Sequence, residues 1–76
     1  MKNKYADLII DGLVKKLEGQ KEVAVANIAI YMNNPAGIGE HPGILEAVEE
    51  EISKIAEAND KIDALREVED VLGVWG

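Results

Sequence analysis

The chain has 76 residues, of which 47% are hydrophobic and 30% are charged, and its formal net charge is −7. This length allows one small domain, residues 1–76, and this composition excludes an intrinsically disordered chain. The lack of cysteine excludes disulfides and thiolate metal sites, and the single histidine excludes multi-histidine motifs, so we expect no metal and no cofactor.

The charge is distributed unevenly along the chain. Residues 1–38 carry a net charge of +1, whereas residues 39–76 carry −8. No basic stripe is available to neutralise phosphates, so we expect no direct contact with nucleic acid or with an anionic membrane. The apolar run Leu8–Ile10 is interrupted by Asp11 and is too short for a signal peptide or a membrane span. We therefore expect a cytoplasmic protein.

The first segment has the pattern of an amphipathic helix that begins near Asn3, a plausible N-cap. Its apolar residues recur at spacings of three and four, which places them on one face of a helix. They are Tyr5, Ile9, Ile10, Leu13, Val14 and Leu17.

The continuation of this segment has two interpretations. Gly19 favours an end or a kink of the helix, and the β-branched residues of 23–32 suit a strand. A stripe at seven-residue spacing continues across Gly19, however, and a single strand would have no sheet to join. The stripe consists of Ile10, Leu17, Ala24 and Tyr31. We therefore predict one helix over about 3–33.

The segment between residues 33 and 43 is predicted to be a loop that reverses the chain. Pro35 disfavours helix at the preceding residue, and Gly37 and Gly39 allow positive φ. These glycines resemble a phosphate-binding loop only weakly, because no strand precedes them and no lysine follows. Pro42 is suited to the first position of a second helix, with His41 as its N-cap.

The second helix is predicted over about 42–72, with Gly73 as its terminator. Its apolar seam, the line of residues facing a neighbouring helix, is predicted at steps of three and four. The seam residues are Leu45, Val48, Ile52, Ile55, Asn59 and Ile62. Beyond them, Leu65, Val68 and Leu72 shift the stripe, so we expect the seam to turn or end near Ile62. Two pairs at i,i+4 spacing support the exposed face, Glu50 with Lys54 and Glu57 with Lys61.

These two helices predict an all-α hairpin that associates with further copies. Each helix of about 30 residues would be about 45 Å long, and each would have only one neighbour within the chain. A wide apolar stripe would then remain half exposed. We therefore predict a helical bundle built from a homodimer, with a larger even oligomer as the alternative.

Glu40 and His41 are the one local pair with acid-base or metal chemistry. A metal would need further ligands from another copy of the chain, because zinc and iron require three or four. The simpler interpretation is that His41 caps the second helix and Glu40 lies in the turn. No catalytic, cofactor-binding or metal-ligating residue is therefore assigned.

Further features each allow a structural and a functional interpretation. The carboxylates of Glu46 and Glu49–Glu51 form a solvated helix face, or they bind hard cations or imitate nucleic acid. Asn59 either fixes the register of the helices from a buried position or is solvated. Trp75 either folds back onto the bundle or anchors into a partner.

Residues 31–42, with the sequence YMNNPAGIGEHP, and the acidic segment 48–65 carry a resemblance to a family. The chain resembles small uncharacterised proteins of large tailed phages that infect marine bacteria and cyanobacteria. The resemblance extends from Lys4 to about Leu65. It implies a viral origin and a location in the host cytoplasm, and it assigns no functional residues.

The expected function is that of a non-enzymatic module for protein interaction or assembly, which binds itself and a host or viral protein. The alternative is a nucleic-acid mimic that blocks a DNA-binding protein by presenting spaced carboxylates. An enzyme or metal protein assembled across subunits at Glu40 and His41 is a third and weaker alternative.

Overall fold

A computed structural model describes residues 4–33 and 43–74, which form two α-helices. Helix α1 spans Lys4–Asn33 and helix α2 spans Ile44–Val74, and they pack against each other as a hairpin. The described residues include no strand. The molecule is long and thin, with principal extents of 56 × 15 × 12 Å. The predicted all-α hairpin is confirmed.

Helix α1 runs without interruption through Gly19 and through residues 23–32. The interpretation of 23–32 as a strand is therefore wrong, and Gly19 does not end the helix. The reason is the seven-residue stripe, because Ile10, Leu17 and Ala24 are all buried against α2. Packing of this face outweighs the low helix propensity of the glycine and the β-branched residues.

Helix α2 begins and ends about two residues later than the sequence suggests. The backbone carbonyl of Gly43 accepts a hydrogen bond of 2.8 Å from the N–H of Ala47, which makes Gly43 the N-cap and Ile44 the first helical residue. Pro42 was expected at that first position, with His41 as the cap. At the other end the helix continues through Gly73 to Val74, so Gly73 does not terminate it.

The face of α2 that contacts α1 differs from the predicted seam at every second position. Leu45 is 80% exposed and Ile52 is 51% exposed, whereas Glu51 and Ala58 are 4% and 2% exposed. Asn59 is also exposed. The contact face nevertheless keeps the alternating steps of three and four. It consists of Ile44, Val48, Glu51, Ile55, Ala58, Ile62, Leu65 and Glu69.

The predicted seam and the observed contact face of α2 share Val48, Ile55 and Ile62. At the positions between these residues, the observed face lies one residue earlier in the chain. Hydrophobicity favours Leu45 and Ile52, but the hairpin buries the position of Glu51, where a carboxylate meets a hydrogen-bond donor from α1. The contact face also continues past Ile62, since Leu65 and Glu69 are half-buried. The expected turn or end of the seam near Ile62 is therefore wrong.

Candidate interaction surface

The centre of the hairpin holds a buried carboxylate. Glu51 Oε1 accepts a hydrogen bond of 3.0 Å from the side-chain amide of Asn27 on α1 and one of 3.1 Å from the ammonium of Lys54. Its second oxygen, Oε2, is buried and has no hydrogen-bond partner. Polar groups in protein interiors are normally paired, whereas only one of the two oxygens of this carboxylate accepts hydrogen bonds.

The hydrogen bond from Lys54 is the main reason why the pKa of Glu51 lies below its ordinary value. Burial acts in the opposite direction, and the Asn27 hydrogen bond and the charge of Lys54 add to the lowering. The pKa of Lys54 is raised, chiefly by its hydrogen bond to Glu51. Both groups therefore remain charged at neutral pH.

The ion pairs of α2 agree with the sequence in part. Lys61 lies 2.9 Å from Glu57, the predicted i,i+4 pair, and this contact lowers the pKa of Glu57. Lys54, however, pairs with Glu51 rather than with Glu50. The buried carboxylate takes Lys54 because Glu51 lies on the contact face and Glu50 is exposed to water.

A groove of about 680 Å³ runs along one side of the hairpin beside this cluster. Small residues, Gly19, Ala24 and Ala58, create the space, and charged side chains, including Lys16 and Lys61, line its edges. A smaller groove of about 400 Å³ lies near the connecting end, between Met32 on α1 and the first turns of α2. The hairpin is thus concave on its flanks rather than fully packed.

Large hydrophobic side chains are exposed on both helices. On α1 they are Tyr5, Leu8, Ile9, Leu13, Val23, Val25, Ile30 and Met32. On α2 they are Leu45, Ile52, Val68, Val71 and Leu72. Among the described residues, the buried hydrophobic ones are far fewer, namely Ile10, Leu17, Ala24 and Ala58. In the described part of the chain, more large hydrophobic side chains are therefore exposed than fully buried.

The two helices differ sharply in charge. Helix α1 contains four lysines and four acidic residues, whereas α2 contains three basic and ten acidic residues. The net charges are therefore 0 and −7. A partner of the same composition would be repelled by α2 and tolerated by α1.

The structure separates the candidate residues of the acidic cluster. Glu46, Glu49 and Glu50 are exposed, as a solvated face requires, whereas Glu51 is buried and bound to Asn27. Asn59 is exposed and does not fix the register. The predicted roles of Gly37, Gly39, Glu40, His41 and Trp75 lie outside the described residues.

Sequence reasoning did not identify Asn27 and Glu51 as a pair. A signal was present, because Asn27 lies beside the seven-residue stripe of α1, close to Ala24. The described residues contain no group of three or more His, Cys, Asp or Glu side chains that could hold a metal ion. Neither described helix combines the length and apolar content that crossing a membrane requires.

Comparison of the chain with protein-family models, with curated proteins and with solved structures gives no match. The function is therefore inferred from the surface of the hairpin.

Proposed function

We propose that this protein is a non-enzymatic assembly module that forms a homodimer through the hydrophobic surface its hairpin leaves uncovered. The observation that carries the proposal is the exposure of residues such as Ile9, Val23 and Ile30, each about 60% exposed. Two helices cannot enclose a core, because each has only one neighbour. A second hairpin supplies the missing neighbours, as in a four-helix bundle.

The surface area of the chain supports this proposal. The hairpin exposes 5884 Å², whereas a compact protein of 8.3 kDa exposes about 4,600 Å². The excess of about 1,300 Å² is larger than the ~800 Å² that each partner contributes to a standard protein interface. Burial of this excess against a second copy would give the chain the surface of a compact protein.

Analytical ultracentrifugation of the purified chain at micromolar concentration tests the proposal. We expect a species of twice the 8.3 kDa monomer mass that dissociates on dilution. A species that remains at 8.3 kDa up to about 100 µM would contradict the proposal, because a specific dimer with a smaller dissociation constant would form at that concentration.

The acidic face of α2 favours a second candidate, a mimic of nucleic acid that occupies a DNA-binding protein. Eight of the ten acidic residues of α2 are exposed along a helix about 45 Å long. Binding to a basic partner through these charges would weaken steeply between about 50 and 200 mM salt. A partner captured at low salt and retained at high salt would contradict the mimic and favour an apolar contact.

The resemblance to small phage proteins gives the proposed module a setting. We expect it to act in the cytoplasm of an infected host, where its further partner is a host or viral protein. Affinity capture from infected cells tests this, with a variant of the exposed apolar surface, Ile9→Glu, as the control. A partner retained equally by both forms would show that the apolar surface is not the contact.

A further inference from the structure

Helix α1 has a second seven-residue pattern, on a flank whose central residues, Lys16, Gly19 and Val23, line the groove beside α2. We call it the outer face. Its residues follow one another at steps of three and four, as the residues of a helix contact do. They are Ile9, Gly12, Lys16, Gly19, Val23, Ala26 and Ile30. Ile9, Val23 and Ile30 are 62%, 62% and 59% exposed, so the hairpin leaves most of the surface of these three side chains uncovered.

The hairpin does not require the two glycines of this face. A Cβ added at Gly12 or at Gly19 would have no atom within 4 Å, and neither residue has the positive φ that favours glycine. Glycine is a poor helix former in a helix interior. Gly12 is exposed and Gly19 is half-buried, and their presence one heptad apart is explained if another backbone approaches them closely.

We propose that the outer face of α1 is where a second copy of this chain docks, with the two α1 helices antiparallel across a twofold axis beside Gly19. This inference rests on the proposed homodimer and specifies its contact. Three observations favour a second copy as the occupant: the excess surface area, the charges of the helices and the symmetry of the face.

The charges favour α1 over α2 as the contact. The net charge of α1 is 0, whereas two α2 helices side by side would bring −7 against −7. Like charges across an interface oppose association. Two α1 helices in contact keep the acidic α2 helices on the outside of the dimer.

The outer face is nearly symmetric about its centre, as a twofold interface requires. In an antiparallel pair centred beside Gly19, Ile9 lies opposite the partner copy's Ile30, and Gly12 lies opposite Ala26. In the same pair, Lys16 lies opposite the partner copy's Val23 and beside the partner copy's Glu22, whose carboxylate accepts a hydrogen bond from the Lys16 ammonium. A parallel pair would instead place the two Lys16 ammonium groups together, which like-charge repulsion disfavours.

Single cysteines test the axis, since the chain has no cysteine of its own. In the proposed dimer, Gly19→Cys or its neighbour Gln20→Cys meets its own copy across the axis and forms a disulfide-linked dimer on oxidation. Gly12→Cys is the matched control. It lies seven residues from the axis, so its two copies are about 20 Å apart and do not form a disulfide.

Disulfides at both Gly12→Cys and Gly19→Cys would show a parallel pair and overturn the antiparallel arrangement. A sedimenting dimer in which none of the three cysteines forms a disulfide would overturn the outer face as the contact while leaving the proposed dimer intact. A monomer in the same experiment would instead contradict the proposed function.

A second test uses the size of the glycines. If the outer face is the contact, Gly19→Leu separates the helices, and the dimer dissociation constant should rise by about tenfold or more. The control is Gly73→Leu on α2, which also has open space around its Cβ and should leave the dissociation constant unchanged. A Gly19→Leu variant that dimerises as tightly as the parent chain would overturn the inference.

Discussion

Asn27 on α1 donates a side-chain hydrogen bond of 3.0 Å to Glu51 on α2 and so joins the two helices at one defined position. Hydrophobic contacts along regular helices tolerate a slide by one heptad, because similar layers recur. A polar link at one layer removes that freedom, since a slide would leave the buried carboxylate without its donor. This pair therefore favours the observed alignment of α1 and α2 over one shifted by a heptad.

Replacement of Asn27 tests the pair. We expect Asn27→Ala to reduce the free energy of unfolding by about 1–2 kcal/mol, because a charged acceptor loses its donor in a buried position. Chemical denaturation of the two single variants and of Asn27→Ala with Glu51→Ala gives the coupling energy. Asn33→Ala is the control, because within the described residues the Asn33 amide donates to the Ala29 carbonyl of its own helix rather than to α2. Additive effects of Asn27 and Glu51 would contradict the assigned role.

The pH dependence of stability should report on Glu51. Its folded-state pKa lies below the ordinary value of 4.5, with the Lys54 hydrogen bond as the main cause. The stabilisation is therefore present above pH 4.5 and is lost as the pH falls through the folded-state pKa. We expect the stability difference between the parent chain and Glu51→Gln to shrink below pH 4.5 in thermal melts. A difference that stays constant down to pH 2.5 would show that the carboxylate charge contributes nothing.

Two leucine variants distinguish the observed contact face from the predicted one. Leu17 is 6% exposed and Leu45 is 80% exposed, so the same chemical change has very different consequences. We expect Leu17→Ala to reduce the free energy of unfolding by about 2–3 kcal/mol and Leu45→Ala by less than about 0.5 kcal/mol. Denaturation at matched protein concentration compares them. Equal losses would favour the seam predicted from the sequence.

Salt should strengthen dimerisation or leave it unchanged. Two chains of net charge −7 repel each other at low ionic strength, and salt screens this repulsion, whereas an apolar contact does not depend on it. Sedimentation at about 50 and 200 mM salt measures the effect, and Tm should rise with protein concentration at both. A dimer that dissociates as salt increases would indicate that ion pairs hold the interface.

The course of α1 could be predicted from sequence because its evidence is distributed over the whole helix. The spacing of Ile10, Leu17 and Ala24 outweighs the local preference of Gly19 and of residues 23–32. The same reasoning predicts the hairpin, since a turn rich in proline and glycine separates two segments of helical period. Periodicity is reliable here because no single residue decides it.

The contact face of α2 could not be predicted in the same way. Hydrophobicity ranks Ile52 above Glu51 and gives no weight to a donor 24 residues earlier in the chain. The burial of Glu51 depends on Asn27, and the burial of Ala58 depends on the passage of α1 beside it. The burial of these two residues is set by how the two helices pack together, and the sequence of one helix alone does not indicate it. For the same reason the sequence leaves the role of Asn59 open and does not indicate that the half-buried Asn27 is the asparagine that bonds across the two helices.

The two buried alanines, Ala24 and Ala58, constrain how the sequence can change over time. Each is almost fully covered, although it contributes only a methyl group, and a longer side chain at either position would extend into the groove or press against the facing helix. The outward apolar residues carry no such steric limit within the chain and are free to change with the partner. Related sequences should therefore keep small residues at these two positions while the exposed hydrophobic residues diverge, and the pattern of variation would itself distinguish the hairpin from the surfaces it presents.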